Sequence, residues 1–243
     1  MWTKRCAEEN SRDCFFSRRQ NELFIVAYGK EHYTGMLIPF SELIRRFGIQ
    51  VRGVLHVGAH EAEELGQYVQ AGVSPDRIVW IDAQPEKIDA LRARGVPNVI
   101  QAFVDEEDDK DIVFHITNNS QSSSLLALGT HATTYPDIVV VRDVRGRTRR
   151  LDTLIHDEHL PIEDLNFLNL DIQGTELRAM RSLGQHLQHI DYIYTEVNTE
   201  EVYEGADLLP SLDAFLERHG FARVATSMVD GAGWGDAFYQ RVI

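Results

Sequence analysis

The chain has 243 residues and a formal net charge of −14, with 24 Lys and Arg against 38 Asp and Glu. With 43% hydrophobic and 26% charged residues it has the composition of an ordinary globular protein, long enough for one large α/β domain. The acidity argues against a general binder of nucleic acid or anionic membranes, because phosphate groups need Lys and Arg to neutralise them.

The cysteine content and the hydropathy indicate in which cellular compartment the protein is expected. Cys6 and Cys14 come without a His cluster, which predicts neither a disulfide framework nor a zinc site and favours a reducing environment. No segment approaches the roughly 20 apolar residues that span a bilayer, and residues 1–19 lack the apolar stretch of a signal peptide. We therefore expect a cytoplasmic protein without a membrane span.

The first half of the chain divides into an extension and the start of a domain. Residues 1–50 are predicted to form an N-terminal helical extension, in which a short amphipathic helix follows Pro39 and ends at Gly48. A ligand-binding domain is predicted over residues 51–243. It opens with the alternation that is typical of βαβ units and a parallel sheet. These elements are a strand over 51–57, a helix over 61–71, a strand over 77–82, a helix over 85–95 and a strand over 99–104.

The middle of the domain has the pattern of exposed antiparallel strands. Asp111 to Thr117 alternates between apolar and polar residues, as a half-exposed strand does. Residues 138–151 predict a further strand, or a hairpin that turns at Arg145-Gly146. We expect a small antiparallel insertion here.

The last third of the chain returns to the alternation of strands and helices. Strands are predicted over 165–171 and 190–196, helices over 175–183 and 208–219, and a final antiparallel pair over 221–226 and 237–242. The fold class is therefore α/β: a doubly wound, Rossmann-like sheet of about seven strands, with the last strand antiparallel and a small antiparallel insertion.

The turn after the first predicted strand points to a nucleoside ligand with a cationic end. In such sheets ligands bind at the carboxyl ends of the strands, so the loop Gly58-Ala59-His60-Glu61 is predicted to contact a cofactor. A dinucleotide loop has further glycines where a pyrophosphate meets the helix, whereas this one has His60 and several glutamates. Carboxylates also suit any helix N-terminus. Their repulsion of phosphate nevertheless favours S-adenosylmethionine, which carries a sulfonium and an ammonium, over NAD.

Two further acidic residues end the next predicted strands. Asp82 comes 24 residues after Gly58, where a carboxylate accepts the ribose hydroxyls of an adenosine, and Ala83 follows it in the same loop. Asp105 ends the third strand and is predicted to meet the adenine amino group. Asp is also common at strand ends and helix caps for purely structural reasons.

Three stretches of the chain resemble one enzyme family. They are Val54-Leu-His-Val-Gly-Ala-His60, Arg150-Leu-Asp-Thr-Leu154 and Leu168-Asn-Leu-Asp-Ile-Gln-Gly-Thr-Glu-Leu177. The chain resembles the FkbM-type S-adenosylmethionine-dependent methyltransferases over roughly residues 50 to 240. The resemblance implies a methyltransferase sheet and transfer of a methyl group to an oxygen, usually a hydroxyl of a sugar or a polyketide-like product.

The chain departs from the family pattern at three positions. The first loop has Ala62 where the family commonly has a second glycine, and the second strand ends in Asp82 where the family commonly has Glu followed by Pro. Asn169 stands where many members carry Lys, so a role of that lysine near the substrate does not carry over.

A second acidic constellation is predicted at the same sheet edge. Asp171 ends the fourth strand of the sheet, and Glu196 and Asn198 end the next one. Asp171 or Glu196 is predicted to be the catalytic general base, with Asp171 also beside the cofactor. Alternatively, Asp171, Glu196 and Asn198 bind Mg²⁺ or Mn²⁺ through oxygen ligands and lower the pKa of an acceptor hydroxyl.

The roles of two polar runs, one rich in serine and one rich in arginine, each have two interpretations. Ser123, in the serine-rich stretch 120–124, is a candidate cofactor contact by resemblance, although such stretches are more often flexible loops. The run of arginines fits either a solvated strand face or an anionic acceptor. Its members are Arg142, Arg145, Arg147, Arg149 and Arg150.

The expected function is that of an S-adenosylmethionine-dependent O-methyltransferase acting on a hydroxyl of a sugar, glycan or similar small molecule, without a nucleic-acid partner. One alternative is a nicotinamide-dependent oxidoreductase, which the missing loop glycines disfavour. The other is a non-catalytic adenosyl-binding protein on the same fold, which the acidic residues at Asp82, Asp171 and Glu196 disfavour. The sequence predicts no oligomeric state.

Overall fold

The computed structural model describes residues 24–28 and 35–242. Much of the predicted N-terminal extension over residues 1–50, including Cys6 and Cys14, lies outside the described residues. Among the described residues, no helix is both long and apolar enough to cross a membrane.

A twisted sheet runs through the domain. In the described part of the chain it has eight strands in the order β1-β10-β11-β9-β8-β2-β3-β4, of which only β11 is antiparallel to its neighbours. This confirms the doubly wound sheet with an antiparallel last strand, and β1 adds an edge strand that the sequence did not predict. The strands are β1 Phe24–Tyr28, β2 Val54–Val57, β3 Ile78–Asp82, β4 Val99–Gln101, β8 Phe167–Leu170, β9 Tyr192–Asn198, β10 Phe221–Val229 and β11 Trp234–Arg241.

Helices cover both faces of this sheet. They are α1 Phe40–Phe47, α2 Leu65–Gln70, α3 Pro85–Ala93, α4 His131–Thr134, α5 Leu151–Asp157, α6 Glu176–Ser182 and α7 Leu209–Arg218. Apolar residues of α5, α6 and α7 form one core with the strands, and those of α1, α2 and α3 form a second core that contains Trp80 and Phe167. Two buried faces explain why the central strands are apolar without alternation.

The N-terminal side of the domain contains the short helix that the sequence predicted. The helix α1 ends at Gly48, whose φ of 62° gives the left-handed cap that favours glycine. Phe40 and Leu43 of α1 are fully buried in the second core. The helix therefore packs on the sheet.

The small sheet contains the predicted antiparallel pair and adds one short parallel strand. It has the order β5-β7-β6, with β5 Phe103–Val104, β6 Asp111–Thr117 and β7 Val140–Arg149. The predicted strand over 99–104 was wrong as one element, because the chain leaves the main sheet at Ala102 and continues as β5. The alternating strand at 111–117 is confirmed.

Of the two alternatives predicted for residues 138–151, the structure contains the single strand and no turn at Arg145-Gly146. β7 runs straight through these residues and pairs with β6 in antiparallel register. Packing explains why residue 146 is a glycine, because a Cβ atom there would lie 2.2 Å from Cε2 of Phe103. The glycine makes room for an aromatic ring, which the sequence pattern does not distinguish from a turn.

The helix after the first loop begins later than predicted. Residues 59–64 form turns, and α2 starts at Leu65 and not at Glu61. His60 and Ala62 have φ angles of 42° and 56°, which a right-handed helix cannot contain. The loop is therefore longer and projects more residues over the sheet edge.

Candidate active site

The cleft lies where the strand order reverses. From β2 the chain continues to β3 and β4 on one side of the sheet, and it returns to β8 and β9 on the other. Beyond the carboxyl ends of these strands is a cleft of about 890 Å³, a volume that includes its opening to solvent. Among the predicted site residues, those that line it are Gly58, His60, Asp82, Ala83, Ser123, Asp171 and Glu196.

Gly58 brings two strand ends into contact. Its φ is 94°, and a Cβ atom at this position would lie 1.8 Å from the backbone oxygen of Asp171. No other residue fits between the ends of β2 and β8 without moving the backbone. The glycine therefore sets the distance between the first loop and Asp171.

His60 connects the first loop to the serine-rich segment. Its backbone N–H donates to Oδ2 of Asp82 at 2.7 Å. Its ring nitrogens lie 2.7 Å from Oε1 of Glu63 and 2.8 Å from Oγ of Ser120. The loop thus holds two walls of the cleft together through one side chain.

Asp82 presents a buried carboxyl group to the cleft. The residue is 5% exposed, and its Oδ1 accepts the N–H of Gln84 at 2.7 Å while Oδ2 accepts that of His60. Burial raises the pKa of Asp82, and the two backbone donors act in the opposite direction. Each carboxylate oxygen can accept a second hydrogen bond, so the group can still receive two ligand hydroxyls.

An apolar wall lies beside Asp82. Ala83 packs with Phe103, Phe114 and Leu125, and all four line the cleft. The sequence pattern missed the two phenylalanines because they belong to the small sheet, whose position over the cleft comes from the departure of the chain at Ala102. The wall and the carboxyl group suit a flat aromatic ring joined to a polyol.

Three predicted cofactor contacts lie outside the cleft lining. The Glu61 side chain is 58% exposed and pairs with Nζ of Lys87 at 2.7 Å. Ala59 is buried below the loop, and the buried Asp105 accepts the N–H of Glu106 at 2.6 Å. Glu63 and Glu64 are the first-loop carboxyl groups that line the cleft. The positive φ at Ala62 turns the chain between these glutamates and Glu61, and no sequence pattern indicated that turn.

Ser123 lines the cleft, and its Oγ accepts the N–H of Thr117 at 3.2 Å. The neighbouring Ser124 donates to the backbone oxygen of Gln173 at 2.7 Å. The serine-rich segment is therefore an ordered wall that connects β6 to the loop after β8.

Asp171 and Glu196 lie on either side of one amide group. Nε2 of Gln173 donates to Oδ1 of Asp171 at 2.5 Å and to Oε2 of Glu196 at 2.6 Å. Asp171 is exposed to the cleft, whereas Glu196 is only 5% exposed. The surrounding protein replaces bulk water around both groups, and this desolvation raises the pKa of Asp171 and raises that of Glu196 well above its usual range.

The predicted metal site receives no support from the geometry. Asn198 is fully buried, does not line the cleft, and neither polar atom of its side chain has a hydrogen-bond partner. Across residues 24–28 and 35–242, no group of three or more His, Cys, Asp or Glu is arranged to hold a metal ion. The donor set of Asp171, Glu196 and Asn198 thus does not fit Mg²⁺ or Mn²⁺.

Asp236 and Glu64 form a second pair of acidic groups that sequence reasoning did not assign. Both line the cleft, are less than 10% exposed and carry pKa values raised by burial, to about 7 for Asp236 and about 8 for Glu64. Asp236 stands on β11 opposite Glu196 and accepts the hydroxyl of Tyr194. No local motif marks it, because its place in the cleft follows from strand order alone.

The segment before α1 closes this end of the cleft. Gly35 and Met36 line it, while the N–H of Leu37 donates to Oδ2 of Asp236 at 2.8 Å and that of Ile38 donates to the Tyr194 hydroxyl at 2.9 Å. Part of the predicted N-terminal extension is therefore a wall of the site.

Glu176 supports the loop after β8. It is 1% exposed, and its carboxyl group accepts the N–H groups of Ile172 and Gly174, each at 3.1 Å. Burial raises the pKa of Glu176 to about 8. Its role is to hold the turn that carries Gln173.

The cleft lining is acidic. Among the described residues it contains six carboxyl groups, no Lys and no Arg. Its carboxyl groups belong to Glu63, Glu64, Asp82, Asp171, Glu196 and Asp236.

The arginine run lies on β7 and at its end, outside the cleft. Four of its members pair with carboxylates: Arg142 with Glu86, Arg147 with Asp109 and Asp111, Arg149 with Asp157, and Arg150 with Asp152. This arrangement fits the solvated strand face that the sequence left open as one of two interpretations.

The chain is similar to one protein family and to several solved structures. Residues 56–222 match the sequence model of the family described as the methyltransferase FkbM domain. No curated protein gives a significant match.

Similar solved structures include a Streptococcus pneumoniae candidate tRNA (m1A22) methyltransferase, with 16% identity, a TM-score of 0.43, and coverage of 85% of this chain and 71% of that chain. The same protein in complex with S-adenosyl-L-methionine gives 17% identity, a TM-score of 0.42, and coverage of 83% and 71%. An S-adenosylmethionine-dependent methyltransferase of Aquifex aeolicus gives 15% identity, a TM-score of 0.39, and coverage of 83% and 89%.

Proposed function

Because this chain belongs to the FkbM methyltransferase family, we propose that it transfers a methyl group from S-adenosylmethionine to a hydroxyl of a sugar, glycan or similar small molecule. The observation that carries the proposal is a cleft at the switch point that is lined by both Asp82 and Asp171, with Asp171 exposed. When bound, S-adenosylmethionine supplies a methyl group already activated on a sulfonium.

The cofactor side of the cleft, formed by Gly58, His60, Asp82 and the apolar wall, fits an adenosine. Asp82 has oxygen lone pairs left for two ribose hydroxyls, and the ring of Phe103 or Phe114 offers a surface for the adenine. Glu63 favours a ligand with a cationic end over a pyrophosphate, because desolvation is outweighed by its hydrogen bonds with His60 and with backbone N–H groups, which together keep its pKa below the usual value. This favours S-adenosylmethionine over NAD, and therefore a methyltransferase over the nicotinamide-dependent alternative.

The acceptor side, formed by Asp171, Gln173, Glu196, Glu64 and Asp236, fits a neutral hydroxyl compound. Carboxyl groups accept hydrogen bonds from sugar hydroxyls, whereas a phosphate or carboxylate on the acceptor would meet acidic groups and no cation in the described lining. We therefore favour a neutral sugar over an anionic acceptor.

Asp171 is the proposed general base. It is exposed to the cleft, and desolvation by the surrounding protein raises its pKa, which makes its carboxylate a stronger base. Gly58 sets the distance between Asp171 and the first loop, which aligns the acceptor oxygen with the methyl donor. Glu196 shares the Gln173 amide with Asp171.

The N-terminal extension is proposed to complete the acceptor side. Its residues Gly35 and Met36 line the cleft, and its two backbone donors hold Asp236 and Tyr194. We propose residues 51–243 as the methyltransferase domain itself.

A screen with labelled methyl donor tests the proposal. Purified protein is incubated with methyl-labelled S-adenosylmethionine and a panel of neutral, amino and phosphorylated sugars and glycans, and labelled product is counted. Label should appear on neutral sugars, and label confined to phosphorylated acceptors would overturn the acceptor class. Calorimetry with S-adenosylhomocysteine and NAD gives the second readout. Binding of NAD alone would establish the oxidoreductase alternative, and tight S-adenosylhomocysteine binding without any transfer would favour the non-catalytic one.

A further inference from the structure

The side-chain amide of Gln173 is the shared partner of the two carboxyl groups on the acceptor side. Its two N–H bonds go to different acceptors, Oδ1 of Asp171 and Oε2 of Glu196, at 2.5 and 2.6 Å. Asp171 follows β8 and Glu196 lies on the adjacent β9, so one side chain connects two strand ends. Both donors of the amide are used in this way.

Tyr203 contacts the carbonyl end of the Gln173 amide. The ring of Tyr203 is fully buried, and its hydroxyl donates to Oε1 of Gln173, with the backbone oxygen of Ser122 as a more distant acceptor at 3.4 Å. A rotated amide would turn its carbonyl oxygen toward two carboxyl groups and its N–H bonds toward the tyrosine. The two carboxyl acceptors and the short contact from the Tyr203 hydroxyl together favour the orientation in which the amide donates to Asp171 and Glu196.

The backbone at this position is unusual for a glutamine. Gln173 has a φ of 58°, in the left-handed region where a glycine would incur no steric cost. A long polar residue in that conformation, directly after Asp171-Ile172, points to a use for its side chain.

The Gln173 amide with its two carboxyl acceptors, which we call the clamp, leaves Asp171 and Glu196 in different environments. Asp171 keeps an exposed surface in the cleft after Oδ1 is engaged. Glu196 is 5% exposed, and its Oε1 is buried without a hydrogen-bond partner. An acceptor molecule entering the cleft can therefore reach Asp171 more readily than the buried Glu196.

We propose that Gln173 is a positioning residue: its side-chain amide, oriented by the Tyr203 hydroxyl, holds Asp171 and Glu196 in one arrangement and presents Asp171 to the acceptor hydroxyl. The catalytic part of this inference rests on the proposed methyl transfer, whereas the clamp itself does not.

Side-chain amide NMR tests the clamp without an acceptor. The two Nε2 proton resonances of Gln173, identified by their absence in Gln173→Met, should lie downfield and exchange with solvent about tenfold more slowly than those of exposed glutamines. Asp171→Asn should shift one of the two protons most, and Glu196→Gln the other. Tyr203→Phe should move both toward ordinary positions. Tyr239→Phe is the matched control, because it removes a buried hydroxyl that donates to Asp213 at 2.9 Å, away from the cleft.

Two NMR outcomes would overturn the clamp. One is a wild-type pair of Gln173 protons with ordinary shifts and fast exchange. The other is a pair that responds to Tyr203→Phe no more than to Tyr239→Phe.

Labelled methyl transfer tests the catalytic consequence. Gln173→Met should reduce transfer about 10- to 100-fold, because a misplaced base loses alignment, while S-adenosylhomocysteine affinity changes little. Wild-type transfer rates in Gln173→Met, or a parallel loss of S-adenosylhomocysteine binding, would contradict a positioning role. If the wild type itself labels no acceptor, the proposed function fails, and the NMR result still decides the clamp.

Discussion

The carboxyl groups on the cofactor side and on the acceptor side of the cleft accept hydrogen bonds from different kinds of donor. On the cofactor side the carboxyl group of Asp82 accepts two backbone N–H groups, from the turns after β2 and β3. On the acceptor side Asp171 and Glu196 share the side-chain amide of Gln173, and Asp236 accepts hydrogen bonds from the Tyr194 hydroxyl and the backbone N–H of Leu37.

This difference has an energetic consequence. Backbone donors belong to the turns themselves, so the position of the Asp82 carboxyl group depends mainly on backbone geometry. The acceptor side instead gathers carboxyl groups from β8, β9, β11 and the start of α2, and their burial opposes ionisation. We expect the acceptor side to be sensitive to side-chain chemistry and pH, and the cofactor side to backbone geometry.

The largest effect is expected on turnover, from Asp171→Asn. This change removes the proposed base but preserves the shape of the side chain, so methyl transfer should fall by about 10²- to 10⁴-fold. Binding of S-adenosylhomocysteine should persist, because Asp82 and the apolar wall remain. Rates are measured with labelled donor and affinity by calorimetry. Full activity in the variant would remove Asp171 from the mechanism.

The next largest effect is expected on stability, from Gly58→Ala. A Cβ atom 1.8 Å from the Asp171 carbonyl oxygen, at a φ of 94°, should lower the free energy of unfolding by about 3 kcal/mol or more. Gly66→Ala is the control, because Gly66 lies in α2 with open space around it and should gain up to about 1 kcal/mol. Urea unfolding measures both. Equal effects of the two changes would show that the close approach is not rigid.

Asp82→Ala tests the cofactor side directly. Loss of a buried carboxyl group that anchors the loop and receives two hydroxyls should weaken S-adenosylhomocysteine binding by about 2–3 kcal/mol. Glu61→Ala is the matched control, since that carboxylate is exposed and paired with Lys87. If both variants bind alike, the ribose assignment of Asp82 is wrong.

Asp236→Asn tests the pH sensitivity of the acceptor side. Because its pKa is raised to about 7, the folded protein keeps a proton that the unfolded chain releases near pH 4. The stability from this proton is present at low pH and is lost as the pH rises to about 7, at up to about 1.4 kcal/mol per pH unit. The variant should therefore gain stability relative to the wild type from pH 4 to 7 in urea titrations. Parallel stability curves would show that Asp236 is solvated.

The smallest effect is expected from Ala62→Gly. Relief of a φ of 56° is worth about 1 kcal/mol, and loss of the buried methyl costs a similar amount, so stability should stay within about 0.5 kcal/mol of wild type. Ala93→Gly, in the exposed last turn of α3, should lose about 1 kcal/mol. Equal losses would show that the loop geometry at Ala62 carries no strain.

Much of the main sheet could be predicted from the sequence, for a definite reason. Strands buried on both faces are apolar without alternation, and Gly72 and Gly95 come after the helices between them, so β2, β3 and β8 were predicted within a few residues of their bounds. The small sheet was harder. Gly146 looks like a turn residue, yet it accommodates the ring of Phe103, a contact between residues 43 positions apart.

The site residues also divide into those that the sequence predicted and those that it did not. Asp82 and Asp171 follow apolar strands, and the carboxyl ends of parallel strands must meet at one edge. Glu61 was predicted to face the cleft and instead pairs with Lys87, because Ala62 turns the chain. The positions of Glu64 and Asp236 depend on the packing of α2 and the insertion of β11 between β9 and β10.

The sequence by itself determined the family, the parallel sheet and the acidic strand ends, because these depend on local patterns of hydrophobicity and on short motifs. Only the tertiary structure decided which carboxyl groups share a cleft, which way the Gln173 amide faces and how the N-terminal segment closes the acceptor side. Those features depend on contacts between residues up to 199 positions apart, as between Leu37 and Asp236, and no local periodicity encodes them.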